Sequence, residues 1–201
     1  GWVGGDKKRN PSNVKPYLDK GIAYVAINYR LTGEHPLPAP VQDAARAIQF
    51  IRHHAADWNL DPTKLAFTGG SAGACTSMWL LAHDDLADPD AEDPIARQST
   101  KPLAAAVSGG QTSIDPKVIE PWLGDNVLQH RMIYMAVGES SIEDAMAHYG
   151  THRHLYIEYS PYNHLGAGDP LRWMQYGGNL TLPSETAGPG IHHGVYGTKM
   201  R

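Results

Sequence analysis

The sequence predicts an α/β fold with a mostly parallel sheet and helices on both faces, and three observations support that prediction. Residues 22–29 and 64–68 are short apolar runs of the kind found in strands buried on both faces. Residues 41–58, between them, place apolar side chains at helical spacing on one face. Residues 74–81 form a second apolar helix directly after the second strand. This alternation of strand and helix is typical of a parallel sheet.

Length and composition indicate one domain that spans residues 1–201. A chain of 201 residues can bury a sizeable core. Its 17 Lys and Arg against 21 Asp and Glu leave it mildly acidic, with no basic run that favours nucleic acid. No apolar run is long enough to span a membrane.

The flanking elements follow from local signals. A short helix is predicted over residues 13–20, ending at Gly21. Later strands are predicted at 103–108 and 171–176, each followed by glycines.

Between those two later strands, residues 111–162 show no strand alternation. They contain short helical patches at 118–123 and 142–149. We expect a small helical insertion over the sheet edge, acting as a lid or pocket wall.

The turn between strand 64–68 and helix 74–81 carries the pattern G-x-S-x-G, which is typical of a nucleophile elbow. A nucleophilic serine must stand clear of its own backbone, so Ser71 is expected on a sharp turn with strained dihedral angles. Side chains at Gly69 and Gly73 are expected to collide where strand and helix cross. The helix N-terminus aims free N–H groups, including that of Ala72, at the charge that develops on an ester carbonyl.

Several motifs in order carry a family resemblance. They are Ile27-Asn28-Tyr29-Arg30-Leu31, Glu34-His35-Pro36, Pro38, Asp43 and the glycine-flanked Ser71, with a looser match from Ser160 to Pro170. Together they resemble the α/β-hydrolase serine esterases related to hormone-sensitive lipase and to bacterial acetyl and feruloyl esterases. The resemblance implies an α/β-hydrolase fold and a serine carboxylic-ester hydrolase that acts through an acyl-enzyme on short acyl esters.

The same resemblance implies further site residues. The opening Gly1-Trp2-Val3-Gly4-Gly5 is similar to the end of the family's oxyanion loop, so Gly1 and Ala72 are expected to supply oxyanion N–H groups. The family's acid falls near Asn179, with Asp115 and Glu185 as substitutes. The first strands and the loop's histidine are expected upstream, which makes this chain an internal segment, incomplete at both ends.

The catalytic base is expected outside residues 1–201, with His193 as the alternative inside the chain. His193-Gly194 matches the family locally, but too few residues separate it from Tyr176 for another helix and strand. We therefore expect His192 and His193 to begin a helix and this segment alone to be inactive.

No cofactor is implied, and no metal site is expected. The histidines that are expected to form no ligand cluster with cysteine or carboxylates are His53, His54, His83, His130, His148, His152 and His154. The implied partner is a small-molecule ester, while oligomeric state and localisation stay open.

Two other functions stay open. A serine peptidase of the prolyl-oligopeptidase type shares this fold, but those enzymes usually place an aromatic residue after the nucleophile, where this chain has Ala72. A catalytically incomplete hydrolase-fold module would fit the doubtful acid and base. The intact elbow argues against such a module.

Overall fold

The computed structural model describes residues 1–178 and 180–200. Its sheet has three parallel strands in the order β1 (Ala66–Gly70), β2 (Ala104–Ser108) and β3 (Leu171–Gln175). The prediction of three strands at these places is confirmed, although β1 begins two residues later than expected and includes both glycines before Ser71.

The predicted strand at residues 22–29 is wrong. Among the described residues, β1 pairs with β2 alone, and no strand is formed at 22–29. Ile22 and Val25 are 51% and 50% exposed. An apolar, β-prone run supplies propensity only, because a strand also needs a neighbour to accept and donate its hydrogen bonds.

Nine α-helices accompany the strands in the described part of the chain. They are α1 (Pro11–Leu18), α2 (Ala39–His53), α3 (Ala72–Ala82), α4 (Pro116–Leu123), α5 (Arg131–Met135), α6 (Ile142–Ala147), α7 (Tyr149–Glu158), α8 (Ala187–Gly190) and α9 (Val195–Lys199). Helix α2 ends at His53, earlier than predicted, and the chain after it turns through Asn59, which has a φ of 55°. None of the described helices is both long and apolar enough to cross a membrane.

Helix α3 covers one face of the sheet. Its residues Met78 and Leu81 pack on the inward side chains of the strands, Ala105 and Val107 among them. On the opposite face Leu171 and Trp173 are 79% and 60% exposed. Within residues 1–178 and 180–200 the helices therefore cover one face, whereas the sequence predicts helices on both.

The insertion at residues 111–162 is helical, as predicted, and holds α4 to α7 with two 3-10 turns. Its apolar side chains do not form a detached lid. Ile119, Ile133 and Tyr156, all at most 1% exposed, join one core with Val41 of α2 and Trp79 of α3. Burying these side chains makes the insertion an integral part of the domain.

Candidate active site

Ser71 lies at the sharp turn between β1 and α3. Its dihedral angles are φ 54° and ψ −125°, a region that non-glycine residues rarely adopt and that costs on the order of 1–3 kcal/mol. The Ser71 N–H donates to the carbonyl of Ser108 at 3.0 Å, and the Ser71 carbonyl accepts the N–H of Cys75 at 3.0 Å. The expected strained elbow is thus present and is tied to the end of β2.

The two glycines around Ser71 have different roles. A Cβ atom at Gly69 would lie 2.6 Å from the backbone carbonyl carbon and oxygen of Gly73, so glycine is required there. A Cβ atom at Gly73 would meet nothing within 4 Å. The expectation of a collision is confirmed at Gly69 and wrong at Gly73, because Gly69 meets the backbone of Gly73, whereas a Cβ on Gly73 would extend into open space.

The start of α3 offers N–H groups beside Ser71. The first N–H groups of a helix have no acceptor within it, and no side chain caps this end. Ala72, whose small side chain is 1% exposed, is the first helical residue. Its N–H is therefore available where negative charge would develop next to Ser71.

The opening loop is anchored on α3 through Trp2. Trp2 is 1% exposed and donates its indole N–H to the Thr76 hydroxyl at 2.9 Å. The carbonyl of Gly1 accepts the Tyr29 hydroxyl at 3.3 Å. Gly1 is not among the described residues that line the cleft around Ser71.

An open cleft of about 450 Å³ lies at the carboxyl ends of all three strands. Ligands of open parallel sheets bind at this edge. The residues that line it are Gly70, Ser71, Ser108, Gly109, Gln175, Gly177 and His192. No described residue of the insertion at 111–162 is among them, so the predicted lid is not a wall of this cleft.

His192, and not His193, shares the cleft with Ser71. Its Nδ1 lies 2.9 Å from the carbonyl oxygen of Gly109, which can only accept a hydrogen bond. This contact places the proton on Nδ1 and leaves Nε2 with a free lone pair, as a general base requires. Gly109 has a φ of +54°, and a Cβ there would lie 3.3 Å from the same Nδ1, so a glycine suits this contact.

The side chain of His193 is 3% exposed and points elsewhere. Its Nδ1 accepts the N–H of Val195 at 3.1 Å, and its Nε2 is buried without a hydrogen bond among the described residues. The expectation that both histidines begin a helix is wrong, because they lie in a turn between α8 and α9. Sequence reasoning named His193 as the candidate base inside the chain on the strength of His193-Gly194, whereas His192, its neighbour, lines the cleft.

Of the three positions expected for the acid, Asn179 lies outside the described residues, and neither Asp115 nor Glu185 lines the cleft around Ser71. Asp115 caps α4: its Oδ1 accepts the N–H of Lys117 at 2.8 Å, and its Oδ2 accepts the Tyr149 hydroxyl at 2.9 Å. Glu185 is exposed on the loop before α8. Two described groups meet Nδ1 of His192: the Gly109 carbonyl at 2.9 Å and, at 3.3 Å, the side-chain amide nitrogen of Gln111.

A second cluster corrects the expectation about histidine ligands. Glu139, His148 and His152 bring one ligand atom each within 4.8 Å of one another. Glu139 precedes His148 by nine residues, too far for a helical pattern to reveal, and the short helix α6 folds the chain back between them.

The sequence of this chain is similar to a known family and to known ester hydrolases. A model of the family BD-FAE matches residues 1–107. The carboxylic ester hydrolase LipM of Mycobacterium tuberculosis, named as probable, is 25% identical over 189 residues, which cover 90% of this chain and 39% of LipM. Carboxylesterase NlhH of the same species is 34% identical over 87 residues, covering 42% of this chain and 27% of NlhH.

A solved structure shares the fold. The acetyl ester-xyloside bifunctional hydrolase of Caldicellulosiruptor lactoaceticus superposes with a TM-score of 0.56 at 22% identity, covering 86% of this chain and 58% of that one. The fold is that of the α/β-hydrolase esterases. The chain spans less than half the length of each of the two curated relatives named above, LipM and NlhH.

Proposed function

The chain belongs to the BD-FAE family, and from that premise we propose that the Ser71 cleft is the active site of a serine carboxylic-ester hydrolase. It acts through an acyl-enzyme on short acyl esters. The observation that carries the proposal is the strained Ser71, at φ 54°, between a parallel strand and the free N-terminus of α3. Strain of this kind persists where the surrounding structure maintains it, and such strain clusters at functional sites.

In this proposal Ser71 is the nucleophile and His192 the base. The Ser71 hydroxyl attacks the ester carbonyl while Nε2 of His192 takes its proton. His192 then returns the proton to the departing alcohol and later activates the water that hydrolyses the acyl-enzyme. His192 lines the same cleft as Ser71, and its Nδ1 is held by the Gly109 carbonyl, which supports this assignment over His193.

The N–H of Ala72 stabilises the oxyanion of the tetrahedral intermediate. This group belongs to the residue after the nucleophile, and the position at the helix N-terminus favours negative charge. Gly1 is the proposed second donor through the family resemblance, and its carbonyl accepts the Tyr29 hydroxyl at 3.3 Å.

We expect turnover to be slow, because the described groups that meet Nδ1 of His192, the Gly109 carbonyl and the Gln111 side-chain amide, are both uncharged. A carbonyl carries no net charge, whereas the carboxylate of a catalytic triad stabilises the imidazolium, and its replacement by an amide costs about 10⁴ in rate. Asn179 stays the proposed position of the third group, where an amide can hold the ring but supplies no charge, with the carboxylates of Asp115 and Glu185 as substitutes. The expectation that residues 1–201 alone hydrolyse esters negligibly also stays a prediction.

The peptidase alternative gains no support from this site. The side chain after the nucleophile is Ala72, which is small and buried. The curated relatives cited above are named as ester hydrolases. The substrate is proposed as a small-molecule ester.

The decisive experiment is covalent labelling of the purified protein with a fluorophosphonate, followed by peptide mass spectrometry. We expect the label on Ser71 and its loss in Ser71→Ala. Ser108→Ala is the matched control, because Ser108 lines the same cleft but does not occupy the elbow. Any hydrolysis of p-nitrophenyl acetate above the buffer background, measured on the same variants, should be lost with Ser71→Ala and kept with Ser108→Ala.

His192→Gln and His193→Gln separate the candidate bases. We expect His192→Gln to slow labelling and His193→Gln to leave it unchanged in protein that remains folded by circular dichroism. Slower labelling with His193→Gln alone would overturn the assignment of His192. Equal labelling of the Ser71→Ala variant would overturn the proposed function itself.

A further inference from the structure

Three potential metal ligands converge on the helical insertion, apart from the Ser71 cleft. Glu139 lies on the loop between α5 and α6, His148 lies between α6 and α7, and His152 lies in α7. One Oε atom of Glu139 is 3.0 Å from Nδ1 of His148 and 2.6 Å from Nε2 of His152. The two imidazole rings thus meet at one oxygen of the Glu139 carboxylate.

The backbone holds these groups in place. His148 is the residue directly before α7, and His152 lies four residues later in its first turn, so the two side chains project from the same side. The N–H of His152 donates to the carbonyl of His148 at 3.2 Å, and the N–H of Glu139 donates to the carbonyl of Tyr134 at 3.0 Å. Gly138 has a φ of +87°, which turns the chain directly before Glu139.

Burial differs among the three side chains in a way that suits metal binding. Glu139 and His152 are 19% and 15% exposed, whereas His148 is 60% exposed. Two ligands are therefore sheltered by the protein, and the third leaves a path for an ion and a place for water. Hydrogen bonds from His152 and then His148 lower the pKa of Glu139, which keeps its carboxylate ionised.

The charge around the cluster favours a cation. Asp144 lies close enough to His148 for their charges to interact, and it accepts the hydroxyls of Ser140 and Ser141 at 2.9 and 2.7 Å. The positive charges that act on Glu139 come from its two histidines, both of which become neutral when they ligate a metal. A bound divalent ion would therefore meet two carboxylates in its surroundings.

We propose that Glu139, His148 and His152 bind Zn²⁺, with water completing a four-coordinate site. Zinc takes imidazole nitrogen and carboxylate oxygen at about 2.0–2.2 Å, and two histidines with one glutamate form a known ligand set. Ligands at that distance in a tetrahedron lie about 3.4 Å apart. The present separations of 2.6 and 3.0 Å require each atom to move by less than about 1 Å.

Zinc at this site links the loop before α6 to α7 and so stabilises the insertion. The site shares no residue with the Ser71 cleft, so it adds a structural property that does not depend on the proposed esterase function. The ligands are present in the folded state and separate when the chain unfolds, so bound zinc raises the unfolding temperature.

The test is calorimetric titration of Zn²⁺ into tag-free, chelator-treated protein. We expect one zinc ion per chain, with affinity weakened at least about 100-fold by His152→Gln or by His148→Gln. His154→Gln is the matched control, because His154 lies on the same helix but is exposed and turned to the carbonyl of Thr151. Co²⁺ should give the visible absorption of a tetrahedral site in the parent protein and in the control only.

Thermal unfolding gives an independent readout. Added Zn²⁺ should raise the midpoint of the parent and of His154→Gln, and leave that of Glu139→Gln unchanged. His148→Gln is the variant least able to disturb folding, since its side chain is mostly exposed. Absence of saturable binding, or equal binding by the parent and by the ligand variants, would overturn the proposal.

Discussion

Substituting Gly69 and Gly73, the two glycines of the G-x-S-x-G pattern, should show which of them is required by backbone crowding. At Gly69, an added methyl carbon would lie 2.6 Å from both the carbonyl carbon and oxygen of Gly73, and 3.0 Å from the nitrogen of Ala74. These are backbone atoms, so no side-chain rotation relieves the overlap. Strand β1 and helix α3 would have to separate by about 0.8 Å to reach the 3.4 Å of ordinary contact.

The magnitude for Gly69→Ala follows from that displacement. Inserting a methyl group into a well-packed crossing costs about 1–3 kcal/mol, and a backbone clash belongs at the upper end. In a domain of this size, about 3 kcal/mol lowers the unfolding midpoint by about 6–12 °C. The strained turn at Ser71 lies between the displaced elements, so fluorophosphonate labelling should also slow.

Gly73→Ala provides the matched comparison. Its Cβ would meet nothing within 4 Å, and it lies in the first turn of α3. Alanine is favoured over glycine in a helix by up to about 1 kcal/mol, so this variant should be neutral or slightly stabilised. Urea unfolding followed by circular dichroism measures both. Equal losses in the two variants, or a cost below about 0.5 kcal/mol for Gly69→Ala, would refute the reasoning.

Three further predictions concern stability. Burial lowers the pKa of His130, so the folded state prefers the neutral ring whose Nδ1 accepts the N–H of Met132. Stability should therefore be greatest above the unfolded pKa of about 6.5 and fall at lower pH, with a shallower decline for His130→Asn in urea titrations across pH. Ile48→Asp should cost several kcal/mol by burying an unpaired charge in the core, whereas Ile48→Val should cost about 0.5–1.5 kcal/mol in the same assay. Thr76→Val should cost roughly 1–3 kcal/mol by leaving the buried indole N–H of Trp2 unpaired, and a change of less than about 0.3 kcal/mol would contradict that hydrogen bond's role.

The elbow could be predicted from the sequence because its signals are local. The apolar run before Ser71, the glycines around it and the small residues after it are adjacent in the chain, and β1, Ser71 and α3 follow in that order. The strands at Ala104–Ser108 and Leu171–Gln175 were equally accessible, since each is a short run closed by glycine.

Features that depend on distant partners could not be predicted in this way. Residues 22–29 have the composition of a strand, yet strand formation depends on a neighbour that composition does not identify. The cluster of Glu139, His148 and His152 depends on how two short helices pack. His192 and His193 differ by one position, and which of them faces Ser71 is decided by the turn between α8 and α9 and by the carbonyl of Gly109.

The end of strand β2 emerges as the element that relates the two proposed catalytic side chains. The carbonyl of Ser108 accepts the N–H of Ser71, and the carbonyl of the next residue, Gly109, accepts Nδ1–H of His192. Successive carbonyls of one strand end thus hold the turn that carries the nucleophile and the ring that would act as its base. Because β1 and β2 pair in register up to Gly70 and Ser108, any slip of that pairing would move Ser71 relative to His192. The geometry of the cleft is therefore set by strand register and by the first residue of the helical insertion, Gln111, whose side-chain amide donates to the carbonyls of Gly109 and Ile191 at 3.2 and 2.6 Å.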